Sequence, residues 1–274
     1  MESLADALVD ATAETSLLAG GTDLMLTLRA RATPPDLLID LSGMHELAFI
    51  GVESGVVRIG AMTTFAQIES HTGLASHAPC LVRAAAQVGS RQIRNLATIG
   101  GNVCNASPCA DGLTALLALD AQAAVLSGGH VERRPLRELL NASGGTRLRC
   151  GQAITEFSFL ALSAGQRSAF AKVGSRSAVT VSKLNAAVVV TLDAARQNIA
   201  QATVSFGSIA PIAFMDREVS AALCGQPLGG DTARHFAAAC AAVAERSIPN
   251  RSSLLYKRHA IRGLALDLWN ALSA

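Results

Sequence analysis

The sequence is short of aromatic residues, of long apolar runs and of any excess of one charge. Aromatic side chains make up 4% of its 274 residues, although half of the chain is apolar. No run approaches the roughly 20 consecutive apolar residues of a transmembrane helix. The 23 Lys and Arg nearly balance 21 Asp and Glu. The sequence therefore argues against a membrane span, and its charge gives no reason to expect nucleic acid as a partner.

Metal-binding and hydrolase patterns are missing as well. The six cysteines are dispersed, none of them forms C-x-x-C, and no histidine lies at a zinc-like spacing from a pair of them. No Ser-His-Asp or paired-carboxylate pattern stands out, so we expect neither a catalytic side chain nor a metal site in this chain. The N-terminal stretch lacks the basic and long apolar regions of a secretory signal. We therefore expect a cytoplasmic protein with reduced thiols.

The first part of the chain alternates short apolar runs with helical patterns. Strands are predicted at 16–20, 36–41 and 56–60, and helices at 64–70 and 80–89. A further helix begins at Asp111, a good N-cap residue, and turns near Asp120 into another strand. Strands that alternate with helices indicate an α/β-like layer arrangement.

The character of the sequence changes after about residue 150. Successive strands are predicted at 153–162, 168–174, 186–193 and 202–210, and two long helices at 231–247 and 252–273. The segment 186–207 reads as an antiparallel hairpin with a longer loop. Strands followed by helices are typical of an α+β unit. We place a domain boundary near residue 165, which divides the chain into 1–165 and 166–274.

Two glycine pairs carry the functional signal. The first stands in "LLAGGTDL", where Gly20 and Gly21 follow an apolar run. Glycines permit positive φ and close approach of the backbone, and successive N–H groups then form a concavity that binds an anion such as a phosphate. The plainer alternative is a tight turn before a helix that Thr22 or Asp23 caps.

The second pair stands in "TIGGN", about eighty residues further on, where Gly100 and Gly101 precede Asn102. Two such backbone cradles are suited to gripping a pyrophosphate from both sides, with Asn102 and Asp111 near the sugar hydroxyls. Neither the P-loop pattern nor G-x-G-x-x-G occurs here. The sequence therefore predicts a dinucleotide site that is not of the Rossmann type.

The sequence resembles the FAD-binding medium subunits of the molybdenum hydroxylases, the xanthine dehydrogenase and carbon monoxide dehydrogenase family. The resemblance is carried by "LLAGGTDLMLTLR", "QIRNLATIGGNVCNASPCADGLTALLALDA", "FAKVGSRSAVTVSKLNAA", "SIAPIAFMDREVSAALCGQPL" and "PNRSSLLYKRHAI". It implies an α+β protein. A PCMH-type FAD-binding domain of two small α/β subdomains would be followed by a C-terminal domain of antiparallel sheet and helices.

The resemblance also implies a set of FAD-binding residues. The first loop comprises Leu17, Leu18, Ala19, Gly20, Gly21, Thr22, Asp23 and Leu24, with residues 19–22 at the pyrophosphate. The second loop comprises Thr98, Gly100, Gly101 and Asn102.

Three further residues match the family outside the glycine loops. Asp111 matches an acid that binds the sugar or ribityl portion of FAD, and Ile154 an apolar residue against the flavin ring. Lys172 matches a lysine near the ring, where a cation would favour the reduced, anionic flavin. The alternative for Lys172 is a solvated lysine at a strand end.

The function implied is that of an electron-transfer subunit. A large partner chain would carry the molybdenum cofactor and a small one two [2Fe–2S] clusters, in a dimer of heterotrimers. FAD on this chain would pass electrons to NAD, a quinone or oxygen. The stretches "NVCNASPCAD" and "PNRSSLLYKRHA" favour a purine or another N-heteroaromatic as the substrate of the complex, with carbon monoxide or an aldehyde as alternatives. Two other functions stay open: a stand-alone FAD-dependent reductase, and a non-enzymatic Ala-rich scaffold.

Overall fold

The computed structural model describes residues 2–273 and confirms a mixed α+β fold. Its helices are α1 (Glu2–Val9), α2 (Leu24–Ala30), α3 (Phe65–Ser70), α4 (Thr72–His77), α5 (Pro79–Ala86), α6 (Arg91–Leu96), α7 (Ile99–Asn105), α8 (Asp111–Ala118), α9 (Arg217–Leu223), α10 (Gly230–Ser247) and α11 (Leu254–Ser273). Its strands are β1 (Thr15–Leu18), β2 (Leu37–Asp40), β3 (Ile50–Glu53), β4 (Val56–Gly60), β5 (Gln122–Ser127), β6 (His130–Pro135), β7 (Gln152–Leu160), β8 (Gln166–Val173), β9 (Leu184–Leu192), β10 (Ile199–Gly207) and β11 (Phe214–Met215). Short 3₁₀ turns occupy His45–Leu47 and Leu136–Leu139.

The N-terminal end forms a small subdomain around a parallel strand pair. β1 pairs with β2 from Thr15↔Leu37 to Leu18↔Asp40. Leu4 and Leu8 are one helical turn apart on α1, so both face the same side and pack with Ile39 of β2. This packing fixes the end of β1, from which the first glycine pair follows.

The second subdomain is built on a five-stranded sheet in the order β3-β4-β7-β5-β6. Every pairing in it is antiparallel, so within residues 2–273 the parallel arrangement typical of α/β proteins is confined to β1 and β2. Ser54 and Gly55 join β3 to β4 with φ of 51° and 77°, which are the left-handed values of a hairpin turn. Helices α3 to α8 lie between β4 and β5 in the chain.

The remaining residues form a four-stranded sheet covered by helices, as the sequence predicts. Its order is β11-β10-β9-β8, all antiparallel, and β9 and β10 form the predicted hairpin. Buried residues of α10 and α11, including Phe236, Leu268 and Trp269, share one core with Val188 and Val204 of the sheet. We refer to residues 2–160 as the N-terminal unit and to residues 166–273 as the C-terminal unit. The domain boundary near residue 165 falls between them and stays a prediction.

Helix α8 belongs to the N-terminal unit and packs against the C-terminal unit. All eight of its residues are buried, because one side packs on α5 and α7 and the other on β9 and β10. A helix buried all round is typical of the centre of a protein. Within residues 2–273, no helix is both long enough and apolar enough to cross a membrane.

Candidate functional site

An open cleft runs between the first glycine pair and α7. Predicted site residues that line it are Leu17, Ala19, Gly20, Gly21, Thr22, Asp23, Leu24, Thr98, Gly100, Gly101, Asn102 and Ile154. The structure therefore brings the two glycine segments together, although about eighty residues separate them in the chain. Leu18, Asp111 and Lys172 are not part of the lining.

The first glycine segment is a loop with unused hydrogen-bond donors. Within residues 2–273 no atom accepts a hydrogen bond from the backbone N–H groups of Gly20, Gly21, Thr22 or Asp23. Gly21 has a φ of 70°, a conformation that other residues seldom adopt. Consecutive free N–H groups in such a turn bind an anion through their dipoles. The loop is therefore suited to a pyrophosphate.

Gly20 permits direct contact between the two walls of the cleft. A Cβ at this position would collide with the backbone carbonyl oxygen of Leu96 and lie 3.1 Å from Ala97 Cα. Any side chain at Gly20 would push the loop away from the segment that leads into α7. This glycine therefore serves packing of backbone on backbone.

The second glycine pair differs from the prediction. Gly100 and Gly101 lie in the first turn of α7, and their N–H groups are already used. Gly100 donates to the Ala61 carbonyl at 2.9 Å, and Gly101 donates to Thr98 Oγ1, the N-cap side chain of α7, at 3.0 Å. The expectation of a second N–H cradle is thus wrong, because the fold and the helix cap take up those donors.

Steric contacts explain why both positions of this pair are glycine. A Cβ on Gly100 would lie 2.7 Å from the Ala61 carbonyl oxygen, so Gly100 allows α7 to pack against the main chain at residue 61. A Cβ on Gly101 would stand 3.8 Å from Ala19 Cβ across the cleft. Gly101 therefore keeps the space between α7 and the first loop free of side-chain atoms.

Neither of the two aspartates considered as helix caps uses its side chain in that way. Asp23 occupies the N-cap position of α2, yet its side chain accepts no hydrogen bond from that helix. Ala110, and not Asp111, is the N-cap residue of α8. Asp111 is instead the first residue of the helix, and its carboxylate is turned toward the C-terminal unit.

Asn102 presents an amide whose two ends differ. Its Oδ1 accepts a hydrogen bond from the N–H of Leu113 in the first turn of α8, at 3.1 Å. No acceptor within residues 2–273 binds its Nδ2. Because Asn102 lines the cleft, the free Nδ2 donor is available to a ligand hydroxyl.

The rest of the lining includes residues that the sequence analysis did not select. They are Thr27, Leu41, Ala61, Met62, Phe65, Val88, Ile93, Ala97, Cys104, Asn105, Leu148, Gln152 and Ala153. Cys104 and Asn105 follow Gly101 by three and four residues, so they share its face of α7. Recognising "IGGNVCN" as a helix would have found them.

The charge of the lining residues is unusual for an anion site. Asp23 is their one acidic side chain, and no Lys, Arg or His is among them. This composition favours backbone dipoles, rather than basic side chains, as the groups that bind a pyrophosphate here. A second depression of the same volume, about 430 Å³, is lined by Ala48, Thr63, His71 and neighbouring residues and includes none of the predicted site.

Asp111 and Lys172 form an ion pair between the two units. Lys172 Nζ lies 2.6 Å from Asp111 Oδ2 and donates to the Gln87 carbonyl at 2.9 Å. Both side chains are 5% exposed, so Lys172 is not the solvated lysine of the alternative prediction. Asp111 Oδ1 also accepts hydrogen bonds from Ser182 Oγ and Asn185 Nδ2. Direct contact of either residue with FAD stays a prediction.

A buried cysteine, Cys80, also lies where the two units meet. Cys80 of α5 donates its backbone N–H to Ser168 Oγ of β8 at 3.1 Å, and its side chain is fully buried. Burial raises the pKa of the Cys80 thiol to about 11, and interactions of the thiol with the Ser168 side chain and with nearby backbone groups offset only part of that rise. Cys80 is therefore protonated near neutral pH and contributes packing, not reactivity.

Comparison with known proteins decides the family. Residues 1–159 match the FAD binding domain in molybdopterin dehydrogenase, and residues 169–272 match the CO dehydrogenase flavoprotein C-terminal domain. The chain belongs to the FAD-binding subunits of the molybdenum hydroxylases. FAD is its cofactor, and the free N–H groups at residues 20–23 fit the pyrophosphate of that cofactor.

Relatives of this chain are FAD subunits of enzymes that are named for different substrates. The chain is 32% identical to the nicotinate dehydrogenase FAD-subunit of Eubacterium barkeri, over 93% of this chain and 86% of the relative. It is also 32% identical to the xanthine dehydrogenase FAD-binding subunit of Escherichia coli O157:H7, over 76% of this chain and 72% of the relative. The recognition made from the sequence motifs is thus confirmed.

A solved structure shows the same fold. The carbon monoxide dehydrogenase of Hydrogenophaga pseudoflava that lacks the Mo-pyranopterin moiety of its cofactor matches with a TM-score of 0.89 and 25% identity. The match covers 99% of this chain and 93% of the other. The predicted PCMH-type domain followed by a sheet-and-helix domain is therefore confirmed as the fold class.

Proposed function

We propose that this chain is the electron-transfer subunit of a three-subunit molybdenum hydroxylase that oxidises a purine or another N-heteroaromatic. A small partner chain with two [2Fe–2S] clusters supplies the electrons, and a large partner chain with the molybdenum cofactor oxidises the substrate. The complex is a dimer of such heterotrimers. The observation that supports the substrate class is the 32% identity to FAD subunits named for nicotinate and xanthine.

The residues of this chain bind and orient the cofactor. FAD supplies the redox chemistry when bound, by taking up electrons and releasing them in pairs to NAD, a quinone or oxygen. The first loop holds the pyrophosphate with the N–H groups of residues 20–23. Asn102 offers Nδ2 to a sugar or ribityl hydroxyl, and Ile154, which is largely buried, contributes an apolar side chain to the lining.

The buried pair between the units supports a tuning role for Lys172. Its ammonium group is held between the two units by the Asp111 carboxylate and the Gln87 carbonyl. A fixed cation near the flavin stabilises the reduced, anionic ring, and the neighbouring Asp111 carboxylate offsets part of the positive charge. We also propose a cytoplasmic location for the protein and a division of the chain into two domains near residue 165. The two family matches, which end at 159 and begin at 169, support the division.

The experiment isolates the complex from the native cell through a tag on this chain. We expect it to contain flavin, iron and molybdenum, and we expect xanthine or nicotinate to bleach the flavin absorbance near 450 nm. Carbon monoxide and an aldehyde serve as comparison substrates. A chain that purifies alone, with a flavin that NADH or NADPH reduces, would contradict the proposal and favour a stand-alone reductase. Reduction by carbon monoxide or an aldehyde alone would overturn the substrate class.

A further inference from the structure

The two units meet in a buried polar network centred on Asn185. This residue lies on β9 and is fully buried. Its Nδ2 donates to Asp111 Oδ1 at 2.5 Å, and its Oδ1 accepts a hydrogen bond from Thr114 Oγ1 at 3.0 Å. The Thr114 hydroxyl also lies 3.1 Å from the Ala110 carbonyl oxygen, so its one hydrogen is shared between the two acceptors. Asp111 and Thr114 belong to α8 and stand three residues apart, on one face of the helix. Asn185 therefore holds the first turn of α8 with both ends of its amide.

The neighbouring strand leaves room for this amide. A Cβ on Gly207 of β10 would collide with Asn185 Oδ1 and lie 2.7 Å from Thr114 Oγ1. Ser205, two residues earlier, donates to the Thr114 carbonyl at 2.7 Å. A buried amide that is satisfied on both sides favours a single docked position of the helix, because a shift would leave polar groups unpaired.

The same turn of α8 contacts Asn102, a residue that lines the cleft. The N–H of Leu113 holds Asn102 Oδ1 at 3.1 Å and leaves Nδ2 free. A Cβ on Gly112 would lie 2.9 Å from Asn102 Oδ1, so the helix and this amide are in close contact. The orientation of Asn102 thus depends on the position of α8, and the hydrogen bonds of Asn185 are among the contacts that hold α8 in place.

We propose that Asn185 is a positioning residue for FAD: through Thr114 and α8 it holds Asn102 in the orientation that offers Nδ2 to the cofactor. Docking of the C-terminal unit and affinity for FAD are therefore coupled. This inference rests on the proposed role of Asn102 in FAD binding. The coupling runs from β9 of one unit, through one helix, to a side chain that lines the cleft.

A double-mutant cycle on the full chain tests the coupling. FAD titrations give the dissociation constant for the wild type, Asn102→Ala, Thr114→Val and the double variant. Thr114→Val keeps the shape but removes the hydroxyl that binds Asn185. We expect it to weaken FAD binding roughly 3- to 10-fold, the scale of one lost hydrogen bond. In the Asn102→Ala background we expect it to have no further effect.

Two controls separate positioning from loss of stability. Thr203→Val on β10 removes a hydroxyl outside the network and should leave FAD affinity unchanged. Thr114→Ser keeps the hydroxyl and should restore most of the wild-type affinity. Asn185→Ala should act like Thr114→Val with a larger effect, and Thr114→Val stands in if that chain does not fold.

The measured FAD affinities separate failure of the coupling from failure of the proposed cofactor site. A wild-type chain that binds no FAD would overturn the proposed cofactor site and the coupling together. A wild type that binds FAD, combined with equal losses from Thr114→Val in both backgrounds, would overturn the coupling alone. Unchanged affinity in Thr114→Val would do the same, whereas unchanged affinity in Asn102→Ala would overturn the proposed role of Asn102 and the coupling with it.

Discussion

A Gly101→Val chain is expected to bind FAD about 10- to 100-fold more weakly than the wild type, because overpacking between two facing walls costs about 1–3 kcal/mol. Gly101 lies in the first turn of α7, where a Cβ would stand 3.0 Å from Thr98 Oγ1 and 3.8 Å from Ala19 Cβ. The two methyl groups of valine would therefore occupy the space between the walls of the cleft. Fluorescence titration of FAD measures the change.

Gly263→Val is the matched control for this substitution. Gly263 lies within α11 and is exposed, and a Cβ there meets nothing within 4 Å. Both variants place a β-branched residue in a helix, so any general loss of helix stability is shared. Far-ultraviolet circular dichroism should show both chains folded. Wild-type affinity in Gly101→Val would contradict the location of the site.

A Lys172→Met chain is expected to lose about 3–5 kcal/mol of unfolding free energy, because it leaves the buried Asp111 carboxylate without its ion-pair partner. The two side chains lie 2.6 Å apart and are each 5% exposed. For a chain of this size, such a loss lowers Tm by roughly 6–20 °C. Thermal unfolding of the FAD-free chain, followed by circular dichroism, measures it.

The charge on Asp111 is the reason for this loss, and a second variant tests that reason. Lys172→Met combined with Asp111→Asn removes both charges and should recover part of the stability. Lys183→Met is the control, since Lys183 is exposed and its ammonium lies over the Tyr256 ring, 5.6 Å from the ring centre, instead of in a buried ion pair. Equal Tm values for Lys172→Met and Lys183→Met would show that the buried pair contributes nothing.

Much of the fold follows from patterns that are local in the sequence. The alternating apolar residues of β9 and β10 and the long amphipathic segments of α10 and α11 predict those elements directly. The antiparallel order of the five-stranded sheet does not follow in this way. β7 inserts between β4 and β5, which lie about 95 and 30 residues earlier in the chain, and only tertiary packing decides such a placement.

The two glycine segments could be predicted as neighbours, but the different hydrogen bonding of each could not, and their contact with FAD stays a prediction. Both glycine pairs were found from the sequence, and most of the predicted residues line one cleft. Helix α7 was missed because "IGGN" has low helix propensity, which the Thr98 cap and packing on Ala61 override. The pairing of Asp111 with Lys172 joins positions 61 residues apart, a contact that no local pattern reveals.

The most direct test of the account is amide hydrogen exchange of the chain with and without FAD, resolved by residue with NMR. The central claim is that the first loop holds the pyrophosphate through N–H groups that the protein itself leaves free. Exchange at Gly20, Gly21, Thr22 and Asp23 should therefore slow strongly when FAD binds. Gly100 and Gly101, already bonded within the protein, should change far less. Bound flavin with unchanged exchange at residues 20–23 would contradict the account.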